Sequence, residues 1–126
     1  MLQRMSLLGL TLITLALGAP GLGRAQSAAE GQKLYMTYCS SCHGDKGRGD
    51  GAAGKALPVK PADHTDGQVM NSFSDEFLMT IISKGGAAVG KSSFMPAWGG
   101  VLKDNQLLDL LAYLRSISNP PKASGK

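Results

Sequence analysis

Cys39-Ser40-Ser41-Cys42-His43 constrains the architecture of this 126-residue chain more than any other segment. It holds both cysteines of the protein, three positions apart, and a histidine follows the second directly. Two thiols at this spacing can add across the two vinyl groups of a haem, and the adjacent imidazole then falls beneath the iron. The motif therefore predicts one covalently attached haem c, with thioethers at Cys39 and Cys42 and with His43 as the proximal iron ligand.

Residues 1–25 are predicted to be a secretory signal peptide. Arg4 supplies a positive charge, residues 7–17 are almost unbroken apolar, and small residues flank Arg24 before the expected cleavage after Ala25. The apolar run is shorter than the roughly 20 residues that a membrane-spanning helix needs. We therefore expect export to the periplasm and no membrane span once the signal is removed. An uncleaved anchor is the competing interpretation.

The two cysteines have three other conceivable uses. A thioredoxin-like dithiol would lie near a β-α-β pattern, and the sequence shows no convincing strand alternation. A disulfide between Cys39 and Cys42 would close a very small loop and stabilise little. Zinc would need four ligands, which the two cysteines and the histidine of the motif could complete with His64. Haem attachment is favoured because the motif uses every cysteine of a chain that is expected to be exported.

Composition narrows the remaining classes of function. Removing Arg4 and Arg24 with the signal leaves 11 of the 13 basic residues against 9 acidic ones, so the formal charge falls from +4 to +2. The chain has no run of basic residues and few aromatics for base stacking, so nucleic-acid binding is not indicated. Because 17 glycines are spread along the sequence, much of the domain must be loop.

Helical periodicity appears in three segments, which glycine- and proline-rich loops separate. The predicted helices are 27–38, 75–84 and 104–118. The first should open with a capping box between Ser27 and Glu30, and the long stretch 44–71 is predicted as loop. The pattern predicts an all-α domain over residues 26–119, followed by a flexible tail over 120–126.

An attached haem leaves the sixth position of its iron to be filled or open. Met95 is the predicted distal ligand, because it lies in a turn-rich loop far enough downstream to reach the other haem face, and its thioether favours ferrous iron. Met36 and Met79 fall on predicted helices, where core packing is the commoner role, and Met70 is the main rival. His64 could instead complete a bis-histidine centre, although a surface or hydrogen-bonding role is commoner for such a residue.

The surroundings of the iron can also be anticipated. His43 should donate its other ring nitrogen to a backbone carbonyl, which orients the ring, and Pro58 is the expected source of that carbonyl. Phe94 and Trp98 are expected to pack at the edge of the porphyrin.

Taken together, these features resemble the bacterial class I cytochromes c, small soluble single-haem proteins of periplasmic electron-transfer chains. Beyond the cysteine motif, the chain is similar to them in the glycine-rich stretch 44–51, in Pro61-Ala62-Asp63 and in Phe94-Met95-Pro96-Ala97-Trp98, the expected axial-ligand loop. The resemblance covers nearly the whole domain. It implies a class I cytochrome c fold, with three main helices and long loops around one covalently bound haem.

The same resemblance implies that the first helix packs across the last. The matching positions are Gly31, Tyr35, Leu110, Tyr113 and Leu114. A glycine at such a crossing allows close approach of the two helices. Two residues depart from the family pattern: His64 stands where an aromatic such as phenylalanine is usual, and Lys103 stands where a serine usually caps the last helix.

The implied function is the transfer of single electrons between periplasmic redox proteins. With His43 and Met95 on both axial sites, no substrate would reach the iron, so the protein is expected to be an electron carrier and not an enzyme. We expect a monomer that contacts its donor and acceptor proteins weakly. The alternatives are a five-coordinate haem enzyme or gas sensor, and a cytochrome subunit of a larger dehydrogenase or reductase complex.

Overall fold

In the computed structural model, which describes residues 25–122, the chain is helical and forms no β-strand within that range. Its α-helices there are α1 (Ala28–Tyr38), α2 (Ser40–His43), α3 (Gly67–Ser72), α4 (Asp75–Lys84) and α5 (Asp104–Ile117). Two 3₁₀ turns, Gly54–Ala56 and Gly86–Val89, lie in the loops. None of these helices is long and apolar enough to cross a membrane. The all-α prediction is confirmed.

The structure does not fully describe two of the predicted segments. Residues 1–24 of the predicted signal peptide and residues 123–126 of the predicted tail lie outside the described residues. The signal peptide, the tail and the domain bounds 26–119 therefore stay predictions.

The three helices predicted from periodicity correspond to α1, α4 and α5, and each begins at a local cap. The Ser27 hydroxyl accepts from the N–H of Glu30 at 3.2 Å, and Ser74 caps α4 in the same way. At α5 the side-chain oxygen of Gln106 accepts from the N–H of Lys103 at 3.0 Å. Gln106 thus satisfies a backbone donor at the helix end that lacks a serine cap.

The capping box expected at the start of α1 is only half present. The Glu30 carboxylate accepts from the Lys33 ammonium at 2.8 Å and not from the N–H of Ser27. That N–H donates instead to the carboxylate of Asp109, at 2.7 Å, and Asp109 lies buried on α5. A tertiary contact between α1 and α5 therefore replaces the local one that the sequence pattern suggested.

Five of the six residues of α3 fall within the stretch 44–71, for which the sequence predicts a loop. The Asp66 carboxylate accepts from the N–H groups of Gln68 and Val69, at 3.0 and 3.2 Å, and so opens the helix. Six residues are too few to show an apolar period, which is why the helix was missed. Its Met70 is buried in the core.

The core lies between α1, α3, α4 and α5. Its buried apolar side chains are Tyr35, Met70, Leu78, Ile82, Leu102, Leu107, Leu110, Leu111, Tyr113 and Leu114. Four of the leucines recur on α5 at the three- and four-residue spacing of one helix face. Helix α5 is thus the central element against which the others pack.

Gly31 lies where α1 and α5 approach each other closely. A Cβ atom built there would overlap the backbone carbonyl of Asp109 and would lie 2.8 Å from the Cβ of Tyr113. One turn later Tyr35 is completely buried, with its ring centroid 5.1 Å from that of Tyr113. The helix pairing implied by the family resemblance is confirmed.

Arg115 ties α5 to the turn between α3 and α4. Its guanidinium donates to the carbonyls of Met70 and Phe73, at 2.6 and 2.7 Å, and to the carboxylate of Asp75 at 2.7 Å. Hydrogen bonding to Arg115 lowers the pKa of Asp75 below its usual range. One side chain therefore holds the end of α3 and the start of α4 in place.

Replacing Gly31 with alanine should destabilise the fold. Alanine favours a helix by roughly 1 kcal/mol over glycine, but here its methyl group must push α5 away, at a cost of about 1–3 kcal/mol or more. We expect a net loss in the free energy of unfolding, measured by guanidinium denaturation. Gly100→Ala is the control, since a Cβ there meets nothing within 4 Å. A Gly31→Ala protein as stable as this control would contradict the crossing geometry.

Candidate haem-binding site

The cysteine motif lies at the junction of α1 and α2. Cys39 ends α1, where its N–H donates to the carbonyl of Tyr35 at 2.8 Å, and it directly precedes α2. The N–H groups of Cys42 and His43 in turn donate to the carbonyl of Cys39, at 3.2 and 3.0 Å. Both thiols are free and half-buried. Hydrogen bonds of the backbone therefore fix the spacing of the three predicted haem contacts.

The ring of His43 is oriented by a backbone carbonyl, as expected, but the carbonyl is not that of Pro58. The Nδ1 atom of His43 lies 3.0 Å from the carbonyl oxygen of Ala62. Because a carbonyl only accepts, Nδ1 carries the proton and Nε2 keeps a lone pair that can bind a metal. Burial lowers the pKa of His43 below its usual value, which favours the neutral, ligating form.

The path of the following loop explains this change of partner. The N–H of Gly49 donates to the carbonyl of His43 at 2.7 Å, and Gly49 packs against the carbonyl of Pro61. A Cβ on Gly51 would lie 2.6 Å from the carbonyl carbon of Cys42. The loop therefore folds back onto the motif more closely than side chains would permit, and this brings Ala62 to the His43 ring.

Tyr35 links the core to the same loop. Its hydroxyl donates to the carbonyl of Gly44 at 2.9 Å, inside the protein. Burial is the main cause of the raised pKa of Tyr35, so its hydroxyl stays protonated and remains a donor. Helix α1 thus holds the residue that follows the motif as well as the motif itself.

His64, the departure from the family pattern, stacks on His43. The two rings are 4.2 Å apart between centroids and 20° from parallel. Axial ligands on opposite sides of a haem point ring edges at the iron and cannot stack face on face, so this geometry gives no support to a bis-histidine centre. Burial, followed by the nearby His43, lowers the pKa of His64 to about 3, so the ring is neutral.

The methionines differ in their surroundings. Met70 is only 1% exposed within the core, whereas Met36 is 43% exposed on α1. Met95 is half-buried in the loop after the second 3₁₀ turn. Its carbonyl accepts from the N–H of Gly86 at 3.0 Å, and its N–H donates to the carbonyl of Ser92 at 3.2 Å. The loop that carries Met95 is therefore closed onto the end of α4, while the role of Met95 as ligand stays a prediction.

The two aromatics expected near the porphyrin behave differently. The backbone N–H of Trp98 donates to the carbonyl of Ile82 at 2.9 Å, and the ring centroid of Trp98 lies 5.1 Å from that of Tyr38. Phe94 is 56% exposed, next to the predicted ligand. Trp98 thus packs at the border of the core, while Phe94 presents an apolar ring at the surface.

The donor atoms present fit a haem better than the alternatives. Among residues 25–122 no group of three or more His, Cys, Asp or Glu side chains could hold a metal ion, so a zinc site is not supported. Two free thiols at the junction of α1 and α2 and an adjacent imidazole with an available nitrogen are the donors that attachment of a haem c uses.

Residues 26–114 match the family model described as cytochrome c oxidase, cbb3-type, subunit III. Cytochrome c6 of Nostoc is 32% identical over 110 residues, which cover 86% of this chain and 85% of that protein. The cbb3-type cytochrome c oxidase subunit FixP of Bradyrhizobium diazoefficiens is 32% identical over 95 residues, 75% of this chain. The matched part makes up only 29% of FixP.

Two solved structures share the architecture. One belongs to the reducing HAO-like protein complex of Kuenenia stuttgartiensis, with 26% identity and a TM-score of 0.61 over 80% of this chain and 49% of the other. The second is the c-type cytochrome KustC0563, with a TM-score of 0.58 over 71% of this chain and 98% of the other. At 24% identity, the second likeness concerns the fold alone.

Tyr35→Phe should weaken the loop that follows the motif. The substitution keeps the buried ring and removes one of the two donors to the carbonyl of Gly44, which still accepts from the N–H of Gly47 at 3.0 Å. The expected cost is about 0.5–1.5 kcal/mol in the free energy of unfolding. Tyr38→Phe is the control, since the Tyr38 hydroxyl makes no hydrogen bond with residues 25–122. Equal stability of the two variants under guanidinium denaturation would refute a stabilising role for the Tyr35 hydroxyl.

Proposed function

Because this chain belongs to the class I cytochrome c family, we propose that it carries single electrons between redox proteins with His43 and Met95 as iron ligands. Membership of this family implies the class I cytochrome c fold, one covalently bound haem c with iron, and a role in electron transfer. The observation that supports the residue assignment is that the junction of α1 and α2 brings together Cys39, Cys42 and an oriented His43.

Each residue of the motif has a separate part in this proposal. Cys39 and Cys42 would hold the haem through two thioether bonds, each of which would form when an S–H group adds across a vinyl group, with sulfur on one carbon and hydrogen on the other. His43 keeps its Nδ1 proton on the Ala62 carbonyl and offers Nε2 to the iron. A bound haem c supplies an iron that alternates between the ferrous and ferric states.

Met95 is proposed as the distal ligand. In support, the backbone of Met95 is held by two hydrogen bonds, from its N–H to the carbonyl of Ser92 and from the N–H of Gly86 to its carbonyl. Met70, in contrast, is a buried core residue, and Met36 is exposed on α1. A thioether is a soft ligand that favours ferrous iron and raises the reduction potential. With both axial positions of the iron occupied, no substrate would bind the iron, so the protein would not be an enzyme. Electrons would enter and leave through the exposed edge of the haem.

Export and partners complete the proposal. We infer that residues 1–25 direct the chain to the periplasm and are removed, that 26–119 form the cytochrome domain and that 120–126 form a tail. The exposed ring of Phe94 beside the ligand loop supplies apolar surface for brief contact with a donor and an acceptor protein. The mature protein would act as a monomer.

A second candidate function is that of a cytochrome subunit in a larger assembly. Its support lies in the names of the relatives: the family model is that of an oxidase subunit, FixP is an oxidase subunit, and one structural neighbour belongs to a protein complex. The stand-alone carrier is preferred because cytochrome c6 matches over 85% of its own length, whereas only 29% of FixP is matched.

Met95→Ala tests the distal ligand through the visible spectrum of the holoprotein. We expect the wild type to give a low-spin c-type spectrum with the weak red band of sulfur bound to ferric haem, and the variant to lose that band. Met36→Ala is the matched control and should keep it, since Met36 is exposed on α1.

Two other spectra would contradict the assignment. A band that survives in Met95→Ala would move the ligand to another methionine, and Met70→Leu would then be examined. A wild type with haem but without the band would favour the five-coordinate enzyme or sensor.

The native size of the holoprotein separates carrier from subunit. Sedimentation of a periplasmic extract, followed by the c-type absorbance, should place the haem at the mass of a single chain. Migration of all the haem with a much larger protein, retained in purified fractions, would instead establish the subunit role.

A further inference from the structure

His64 is held firmly although it lies in a loop. Its N–H donates to the carbonyl of Gly47 at 2.6 Å, and its carbonyl accepts from the hydroxyl of Ser118 at 3.1 Å. Its ring meets the ring of Tyr35 edge-on, with centroids 5.9 Å apart and planes at 74°. The backbone and the ring are therefore both fixed before the contact with His43 is considered.

The contact with His43 supplies a restraint that the carbonyl of Ala62 cannot supply. A single hydrogen bond at Nδ1 limits the rotation of the ring about its Cβ–Cγ bond, but an N–H···O bond tolerates about 30° of misalignment, so the ring plane keeps some freedom. A second flat ring, 4.2 Å away and 20° from parallel, opposes this rotation, because turning would break the face-to-face contact. The hydrogen bond and the stack together define the plane of the imidazole.

We propose that His64 is a positioning residue that fixes the plane of the His43 ring and keeps water from its face, and thereby raises the reduction potential of the iron. This inference rests on the ligation of iron by His43 proposed above. A ligand shielded from water leaves the extra charge of ferric iron less well solvated, so the ferrous state is favoured.

The property that matters is a flat face and not the polarity of His64. Its Nδ1 atom is buried and has no hydrogen-bond partner among residues 25–122, so the imidazole gains nothing from that nitrogen. A phenylalanine would offer the same face without a buried unpaired atom, whereas a leucine would fill similar space without a flat face. These two residues therefore separate stacking from space filling.

The experiment compares the holoproteins of wild type, His64→Phe and His64→Leu by NMR and redox titration. The shifts of the haem methyl groups in the ferric state report the plane of the axial imidazole. We expect His64→Phe to keep the wild-type pattern and potential. We expect His64→Leu to change the pattern and to lower the equilibrium constant for reduction by about tenfold, which is 59 mV for one electron.

Three results would overturn the proposal. They are a wild-type pattern and potential in His64→Leu, a pattern in His64→Phe displaced as far as in His64→Leu, and a displaced pattern with an unchanged potential. If His64→Leu yields no holoprotein, His64→Ala takes its place with the same expected direction. The free energy of unfolding is measured in parallel, and a merely structural role would lower it without changing the pattern.

A separate measurement distinguishes failure of the proposed iron ligation by His43 from failure of the positioning role of His64. The wild-type protein labelled with ¹⁵N-histidine should show one strongly shifted imidazole signal, which is absent in His43→Ala with imidazole added. If the wild type lacks that signal, the ligation proposed for His43 is wrong. If the signal is present and the His64 variants behave alike, only the positioning role is wrong.

Discussion

The crossing of α1 and α5 at Gly31 is the contact on which the other features of this protein depend. Because residue 31 has no side chain, the backbone of α5 near Asp109 lies against α1. The same approach buries Tyr35 completely one turn later, and the hydroxyl of Tyr35 then reaches the carbonyl of Gly44. Since the cysteine motif begins directly after α1, the crossing also determines where the motif lies.

A second set of restraints, from the loop that follows the motif, acts on the ring of His43. The glycine-rich loop folds back so that the carbonyl of Ala62 meets Nδ1 of His43, while the ring of His64 covers its face. Burial lowers the pKa of both imidazoles and so favours their neutral forms, in which Nε2 of His43 keeps the lone pair that a metal would bind. The loop thus orients the ring that is proposed to bind the iron.

The features that could be predicted from the sequence are the three helices with a repeated apolar period and the attachment motif with its specific spacing. Helices α1, α4 and α5 each bury an apolar stripe, so their existence could be inferred, but α3 has only six residues and depends on the Asp66 cap. Pro58 was the wrong partner for His43, because the loop path is set by tertiary hydrogen bonds such as that of Gly49. No local pattern joins His64 to a residue 21 positions earlier.

The proposed electron transfer depends on one haem bound covalently through Cys39 and Cys42. The most direct test is the mass of the intact holoprotein under denaturing conditions, together with its reduced spectrum in alkaline pyridine. We expect a mass equal to the polypeptide plus one haem, and a spectrum typical of two thioether bonds. A polypeptide mass without haem, or a haem that denaturation releases, would contradict it.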